Sequence, residues 1–572
     1  MTDIRLNIDG FDITVNPGTT ILEACKRLKI NIPTLCYHPD QDIKGSCRVC
    51  VVEVEGNKNL VASCCTPVKE GMKVKTNTKR VREARKNMLE LILANHNGDC
   101  LTCVRNGSCE LQALCDELNV RNDNLDKVYS KLPIDNSNPS LVRDLSKCIK
   151  CGRCIEVCHK VQGVGAIYNV NRSCEMEIRP PLNKNLSDVQ CVYCGQCINV
   201  CPVGAIYEKD DIEKVWDVLE DENKHVVVQV APAVRVSLGE EFNLEPGSII
   251  TGKIVNYFKK IGFDKVFDTN FTADLTIIEE GNELLYRINN GGKLPMLTSC
   301  SPGWIRYIEH FYPELLEHVS TCKSPQQMFG ALAKSYYAEK NNINPKDIVV
   351  VSIMPCTAKK AEAKREEMNN EGNSDVDIVL TTRELAKMIK ESRIQINDLE
   401  EEKFDDPFGI STGAAVIFGA SGGVMEAALR TVYEVVTKNE LENIDLKEVR
   451  GLKDIKEAKV KVGDLNVKVA VANGLNNAKV LLDLIKEGKA DYHFIEIMCC
   501  PGGCIGGGGQ PIPGTNDIKE KRVKGIYNAD SKAKIRKSHK NPAVVELYKE
   551  FLIKPLGEKS HKLLHTHYKD RS

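Results

Sequence analysis

The sequence carries almost no net charge, no long apolar run and no dinucleotide fingerprint, and each absence removes a class of function. Lys and Arg number 78 against 79 Asp and Glu, a formal charge of -1. That balance argues against wholesale nucleic-acid binding and against a polybasic membrane-surface protein. No run of about 18 apolar residues occurs. Met1–Gly10, MTDIRLNIDG, lacks a basic start, an apolar stretch and a small-residue cleavage site. We therefore expect no membrane span, no secretion and a cytoplasmic location. No GxGxxG sits between a strand and a helix with a following acidic residue, so direct NAD binding is not expected.

What is abundant is cysteine: 25 in 572 residues. The length, several times that of a usual domain, calls for a modular chain. With 42% hydrophobic and 27% charged residues, the composition is globular. In a reducing compartment, cysteines in C-x2-C spacing are metal ligands rather than cystines, because thiolates three residues apart suit one metal centre and poorly suit a bridge to each other. Iron–sulfur chemistry is the leading reading.

The spacing divides the front of the chain into three modules. In 1–80, Ile4–Ile8 and Phe11–Val15 alternate around Asp9-Gly10, and Thr19 or Thr20 can cap a helix bearing Ile21, Leu22, Ala24, Cys25 and Leu28, an order that suggests a β-grasp. Cys36, Cys47, Cys50 and Cys64 follow. They resemble the ligands of plant-type [2Fe–2S] ferredoxins with the wider spacing of complex I large subunits and some hydrogenases; adjacent Cys65 is the weaker candidate. In 81–125, Val81, Met88, Leu89, Leu91, Ile92 and Leu93 form a helical apolar face. It leads to His96, Cys100, Cys103 and Cys109, which resemble the His/Cys3 [4Fe–4S] site of the same families, with zinc as the competitor. In 140–209, Cys148, Cys151, Cys154 and Cys158 are repeated by Cys191, Cys194, Cys197 and Cys201. This is the two-[4Fe–4S] ferredoxin pattern, in which the last cysteine of each run serves the other cluster. Together these sites look like an electron wire.

From 210 to 515 cysteine thins and strand-like blocks alternate with helix-like ones. Expected strands are His225–Val230, Lys265–Asp268, Leu294–Thr298, Ile348–Met354, Val467–Val471 and His493–Met498. Expected helices include Thr251–Ile261, Asp274–Ile288 and Thr382–Lys390. The fold class is therefore multidomain α+β and α/β: β-grasp, His/Cys3 module, two-cluster ferredoxin module, then a two-lobed α/β domain of parallel sheets. The segment 516–572, rich in Lys and His, reads as a helical wrap. Cys300, Cys356, Cys499, Cys500 and Cys504 sit at carboxyl ends of three strands, where open α/β sheets build their sites. Gly502, Gly503 and Gly506–Gly509 permit close approach of a bulky inorganic group.

Those loops carry a resemblance that covers nearly the whole chain. Thr298–Trp304, Met354–Glu362 and Glu496–Pro511 correspond to TSCCPxW, MPCxxKxxE and ExMACxxGCxxGGGxP, the three signatures of ferredoxin-linked [FeFe]-hydrogenases of the clostridial kind. The resemblance implies reversible H2 formation from protons and electrons at an H-cluster: a [4Fe–4S] cube sharing the Cys504 thiolate with a diiron unit bearing CO, cyanide and azadithiolate. It further implies one [2Fe–2S] and three accessory [4Fe–4S] clusters and a ferredoxin or flavodoxin electron carrier. Dedicated maturation proteins, a monomer and an anaerobic hydrogen metabolism belong to the same expectation. The family's 516–572 counterpart is a fused small subunit.

By the same resemblance Glu280, Glu283, Arg287 and Ser320 form a proton path, Lys359 donates to a cyanide, and Met354, Met498, Pro232 and Gln326 line the diiron site. Two departures stand out. The first signature's cysteine pair, relay then cube ligand, reads Cys300-Ser301, and the alanine before Cys500 is Cys499. Because a serine hydroxyl is the poorer iron ligand, Cys300, Cys356, Cys500 and Cys504 are the preferred cube ligands, leaving the relay to Ser301 or Cys499. The literal order, Cys300 as relay and Ser301 as ligand, stays open. Ala233 also replaces a serine that contacts cyanide. Cys25, Cys115, Cys174 and Cys322 are expected to be small buried hydrophobes. The competing functions are a redox- or H2-sensing or assembly-related protein that keeps the fold, and an electron-transfer subunit.

Overall fold

In a computed structural model, residues 3–121, 125–126, 133–441, 443–463 and 465–572 are described, with the side chain of Cys174 outside that set. The expected role of Cys174 and most of the junction between the second and third modules therefore lie outside the described residues. Among the described residues, no helix is long and apolar enough to cross a membrane.

The chain opens on a five-stranded sheet in the order Phe11–Val15, Ile4–Ile8, Lys73–Lys75, Val51–Val54, Val61–Ala62. Asp9 and Gly10 both take positive φ, 50° and 92°, which is the two-residue hairpin turn that pairs Ile8 with Phe11. Thr20 caps the Ile21–Arg27 helix with Glu23 in a reciprocal capping box. The following helix, Lys79–Ala94, buries Val81, Arg85 and Leu89, a stripe at four-residue spacing. Its apolar face is narrower than the sequence suggests: Leu91 is 50% exposed, because it lies roughly opposite Leu89 on the helix. Arg85 replaces an expected apolar contact by donating to the Val51 carbonyl at 2.9 Å.

The third module is closed by antiparallel Leu141–Arg143 and Ile206–Glu208. Inside it, Gly152 and Gly195 take φ of 77° and 69° and open the two short helices Arg153–Glu156 and Gln196–Asn199, turns that a Cβ would strain.

Two four-stranded sheets form the catalytic half. The first, Lys265–Asp268, His225–Val230, Ile348–Met354, Ile378–Thr381, is wholly parallel. The second, Met296–Leu297, Phe494–Met498, Leu465–Asn473, Ile455–Val462, is parallel except at its last strand. The expectation of purely parallel sheets is corrected there. Ile455–Val462 reads IKEAKVKV, and this charged edge strand pairs antiparallel with its neighbour through a tight turn. The expected Leu294–Thr298 strand contracts to Met296–Leu297, since Pro295 has no N–H for the ladder. The helix expected from Asp274 begins at Thr269 and runs to Asn290. Asp268, the last strand residue, is its N-cap and accepts from the Asn270 N–H at 3.0 Å, so strand passes to helix without a loop.

The carboxyl-terminal segment is helical at Asn516–Lys532, Pro542–Leu547 and Glu558–Leu564. It is strapped to the catalytic domain by Lys323 N–H to Leu564 O and Thr566 N–H to Thr321 O, both 2.7 Å.

Candidate functional site

Each group of cysteines expected from spacing is gathered in space. In the first module the Cys36 thiol is lowered to about 5 by its hydrogen bond with Cys47. Cys50 is lowered to about 6 by Cys64, so the four form two proton-sharing pairs. Cys64 is buried and Cys65 exposed. His96 is buried, and its Nδ1 lies 3.0 Å from the Lys147 carbonyl. A carbonyl only accepts, so Nδ1 carries the proton, the tautomer in which a metal-binding imidazole ligates through Nε2. Cys100 and Cys109 bear on half-buried Cys115, which packs against the adjoining apolar core and neighbours this site. A Cβ on Gly204 would meet the Cys103 Sγ at 2.6 Å, so this loop packs directly on the third module.

There, one cavity is lined by Cys148, Cys151, Cys154 and Cys201 and a second by Cys158, Cys191, Cys194 and Cys197. Each draws three cysteines from one run and the last from the other. Cys194 also lines a third, larger cavity in the catalytic half, so a single residue forms the wall between them.

That third cavity takes its lining from five strand ends and the helices that follow them. Cys300, Ser301, Cys356, Cys499, Cys500 and Cys504 reach it, with Pro232, Gln326, Met354, Lys359 and Met498. Its glycine loop is laid hard against the walls: a Cβ would fall 2.1 Å from the Pro355 O at Gly507 and 2.2 Å from the Cys194 O at Gly508. Burial raises the Cys504 thiol to about 12 and drives Cys356 up as well. Closely packed thiols in an apolar chamber hold their protons until a cation replaces them. The Gln326 Oε1 is buried without a partner. Lys359 Nζ is held 2.8 Å from Glu362 Oε2 and 3.2 Å from the Cys300 carbonyl, which aims a point charge at the chamber. A buried thiol set, a cradle that excludes every Cβ, and unspent polar groups fit an iron–sulfur cofactor with anionic ligands.

Cys300 and Ser301 have different neighbours. The Cys300 thiol is raised by burial and then by the charges of Glu280 and Cys504. Cys356, in contrast, is raised by burial and then by Cys500 and Cys504. Ser301 Oγ accepts from the Cys499 N–H at 3.3 Å. The Cys499 thiol is within hydrogen-bonding reach of Cys194 and Cys500.

The Thr269–Asn290 helix brings Glu280, Glu283 and Arg287 together beside Ser320. The first two are buried, which corrects the alternative of an exposed salt-bridge face. Glu280 is raised to about 8, by burial first and then by Glu283. Neither of its oxygens completes a hydrogen bond, although the Ser320 hydroxyl and the Ser299 backbone stand near enough to oppose the rise. Ser320 Oγ donates to Glu283 Oε2 at 2.8 Å, and Arg287 Nη2 donates to Glu283 Oε1 at 2.6 Å.

Three residues escaped the sequence reading. Arg383 donates to the carbonyls of Gly508 at 2.8 Å and Gln510 at 2.6 Å and to Glu208 Oε2 at 2.7 Å, tying the glycine loop to the third module. Glu496 accepts from the Gly422 and Met425 N–H groups, both 2.7 Å, and its place at the head of a signature was the available signal. Cys322 is fully buried in the core, as expected, but the sequence did not show that its Sγ also lies 3.9 Å from Glu283 Oε2. The Ala233 carbonyl accepts from Ser237 Oγ at 2.8 Å, and its methyl leaves no donor where a serine would have one.

Models of five families match the chain: a 2Fe-2S iron-sulfur cluster binding domain at 1–79, an NADH-ubiquinone oxidoreductase-G iron-sulfur binding region at 85–123, and an NADH-quinone oxidoreductase subunit 3 ferredoxin-like domain at 138–207. The iron only hydrogenase large subunit, C-terminal domain, matches 224–508 and the iron hydrogenase small subunit 516–571. The NADP-reducing hydrogenase subunit HndD of Solidesulfovibrio fructosivorans is 49% identical, covering 99% of both chains. Iron hydrogenase 1 of Clostridium pasteurianum is 43% identical over 98% of this chain and 99% of its own. Among solved structures, a variant of the [FeFe]-hydrogenase HydA1 from Chlamydomonas reinhardtii is 44% identical with a TM-score of 0.57, covering 63% of this chain and 99% of that one.

Proposed function

The chain belongs to the iron-only hydrogenase family and is an oxidoreductase with iron–sulfur domains and an H-cluster domain, and on that premise we propose that it catalyses the reversible formation of H2 from two protons and two electrons. The observation that carries the reading is the third cavity, where three separated signatures meet behind one proton path. An H-cluster bound there supplies the redox centre at which protons and electrons combine. Cys356, Cys500 and Cys504 would hold it, Lys359 would face its anionic ligands, and Met354, Met498 and Pro232 would keep water out.

For the departing signature we favour the literal order. Cys300 handles the proton, because its thiol bears on Glu280, and Ser301 stands in the fourth donor's place. Protons then pass between Glu283 and Cys300 by way of Ser320 and Glu280. A carboxyl raised to about 8 is poised to give and regain a proton near neutral pH, as a relay requires.

Upstream, one [2Fe–2S] site at Cys36, Cys47, Cys50 and Cys64 and three [4Fe–4S] sites form the wire, and the domain limits are those read from sequence. The donor is ferredoxin or flavodoxin in the cytoplasm, the chain acts as a monomer, and maturation proteins supply the diiron unit. A second reading of the donor rests on the full-length similarity to a subunit named for NADP reduction. Having no nucleotide fingerprint of its own, the chain would then exchange electrons with a nicotinamide-handling partner.

Infrared spectroscopy on anaerobically matured protein tests the reading: bands of bound CO and cyanide, with viologen-driven H2 evolution, are expected. Bands without H2 would leave a sensor, and intact cubanes without bands an electron-transfer subunit. H2 evolution from reduced ferredoxin by the isolated chain separates the two donors.

A further inference from the structure

The proton path as drawn ends badly. Beyond Glu283 the family order leads to Arg287, but a guanidinium with pKa above about 12 does not release protons at neutral pH. Here Arg287 is also spent on the Glu283 carboxylate and on the carbonyls of His318 and Val319. It holds Glu283 in place and cannot refill it.

A second set of groups touches Glu283 from the carboxyl-terminal segment. Thr321 Oγ1 lies 3.3 Å from Glu283 Oε2 and 2.8 Å from the His565 Nδ1. His565 Nε2 lies 3.2 Å from Glu279 Oε2. The rings of His565 and His561 are 4.5 Å apart between centroids. His565 is buried and His561 exposed, so this row runs from the interior to solvent. The strap that pairs Thr321–Lys323 with Leu564–Thr566 fixes His565 in this place.

We propose that Glu283 exchanges protons with solvent through Thr321, His565 and His561, a branch furnished by the carboxyl-terminal segment. Inward, protonated His565 gives its Nδ1 proton to the Thr321 oxygen as the Thr321 hydroxyl gives its own to the Glu283 carboxylate. One proton moves, threonine is unchanged, and no electron is transferred. Bulk water reached along the neighbouring His561 ring then returns one proton to the vacated His565 Nδ1, while Nε2 keeps its own toward Glu279. Glu279 keeps the imidazole oriented: burial opposes its charge, but hydrogen bonds from His565, Tyr548 and the Leu556 N–H hold it below the ordinary carboxylate range. Glu283 and Cys322 of the catalytic domain face His565, with ligand atoms within 4.8 Å of one another, while Glu279, Glu283 and His567 bear on His561.

The inference rests on the hydrogenase reading, and its test begins from matured wild-type enzyme with viologen-driven H2 evolution. An inactive wild type defeats that reading, whereas an active one leaves only the branch in question. His565→Gln keeps a hydrogen-bonding side chain but cannot relay. We expect H2 evolution to fall roughly tenfold, with an altered pH profile and infrared bands unchanged. Thr321→Val, which leaves the strap's backbone pairing in place, should give the same fall and the same altered profile. Wild-type rates and profile in both variants overturn the proposal. Should His565→Gln lose its infrared bands, Thr321→Val decides alone: a wild-type profile there overturns the branch.

Discussion

The wire and the catalytic chamber both gather cysteines, but by opposite routes. Cys148, Cys151 and Cys154 lie within one short loop, so the chain's own reach brings them together, and only Cys201 comes from elsewhere. Cys356 and Cys504 arrive on different strands of two different sheets and meet only once both sheets are packed. A wire site is therefore a local property of sequence, while the chamber is a property of the whole fold. The two regions share a wall at Cys194, and Arg383 is one of several clamps across it, beside Gln196 and Asn199 on the Gly506 and Gly507 carbonyls; changes made on either side should behave differently.

The largest effect is expected inside the chamber. Glu280→Gln keeps the shape and removes the titrating group, so H2 turnover should fall about a hundredfold or more with every electron donor, while the infrared bands stay. In the wild type the inward proton flow should weaken above a pH of about 8, where this carboxyl ionises. Equal turnover in the variant would take Glu280 out of the path.

The clamp comes next. Glu208 is buried, which raises it, yet Arg383 overrides this and lowers it to about 2. A carboxyl so depressed contributes stability that is full above about 4.5 and lost as pH falls toward 2, roughly 3 kcal/mol by that shift. Glu208→Gln leaves Arg383 buried without its charge partner and should cost about 3–5 kcal/mol, read as a lower urea midpoint at pH 7. A variant with the wild-type midpoint and acid sensitivity would show that the two regions are not held together here. On the wire, His96→Ala should cut ferredoxin-linked H2 evolution roughly tenfold and leave viologen-linked turnover near wild type, since a small donor can enter downstream. Equal losses with both donors would mean that the site supports the chamber and not only its supply.

This contrast also explains what could be read from the chain. The two cavities of the third module follow from C-x2-C spacing because thiolates that close in sequence have few other ways to lie. The strands at His225–Val230, Lys265–Asp268 and Ile348–Met354 were legible as apolar runs. Ile455–Val462 was not, because its alternating lysines look like solvent-facing polar chain until a neighbouring strand pairs with it. The chamber was legible only through its three signatures. Neither Arg383 nor His565 carried a signal of its role: the partners of one are a carboxylate and two carbonyls far along the chain, and the other, one of several histidines in a Lys- and His-rich tail, depends on a strap formed by the last residues.

The smallest effect tests the departure at Ser301. Cys499 lies behind Cys500, toward Cys194, with its thiol in reach of both and its N–H bound to Ser301 Oγ. If Ser301 is the fourth donor, Cys499→Ala removes only a sulfur between the last wire site and the cube. Infrared bands and iron content should then be unchanged and turnover lowered by less than about threefold, whereas Ser301→Ala should disturb the cube's paramagnetic resonance. A hydroxyl is the weaker iron donor, so Ser301→Cys should tighten the cube and move its potential without restoring or removing the proton path through Cys300. The opposite pattern, a lost cube in Cys499→Ala and an intact one in Ser301→Ala, would give the fourth donor to Cys499. Cys499, in reach of the Cys194 wall, would then be a cube ligand, and the two regions would meet through a bonded residue rather than a packed one.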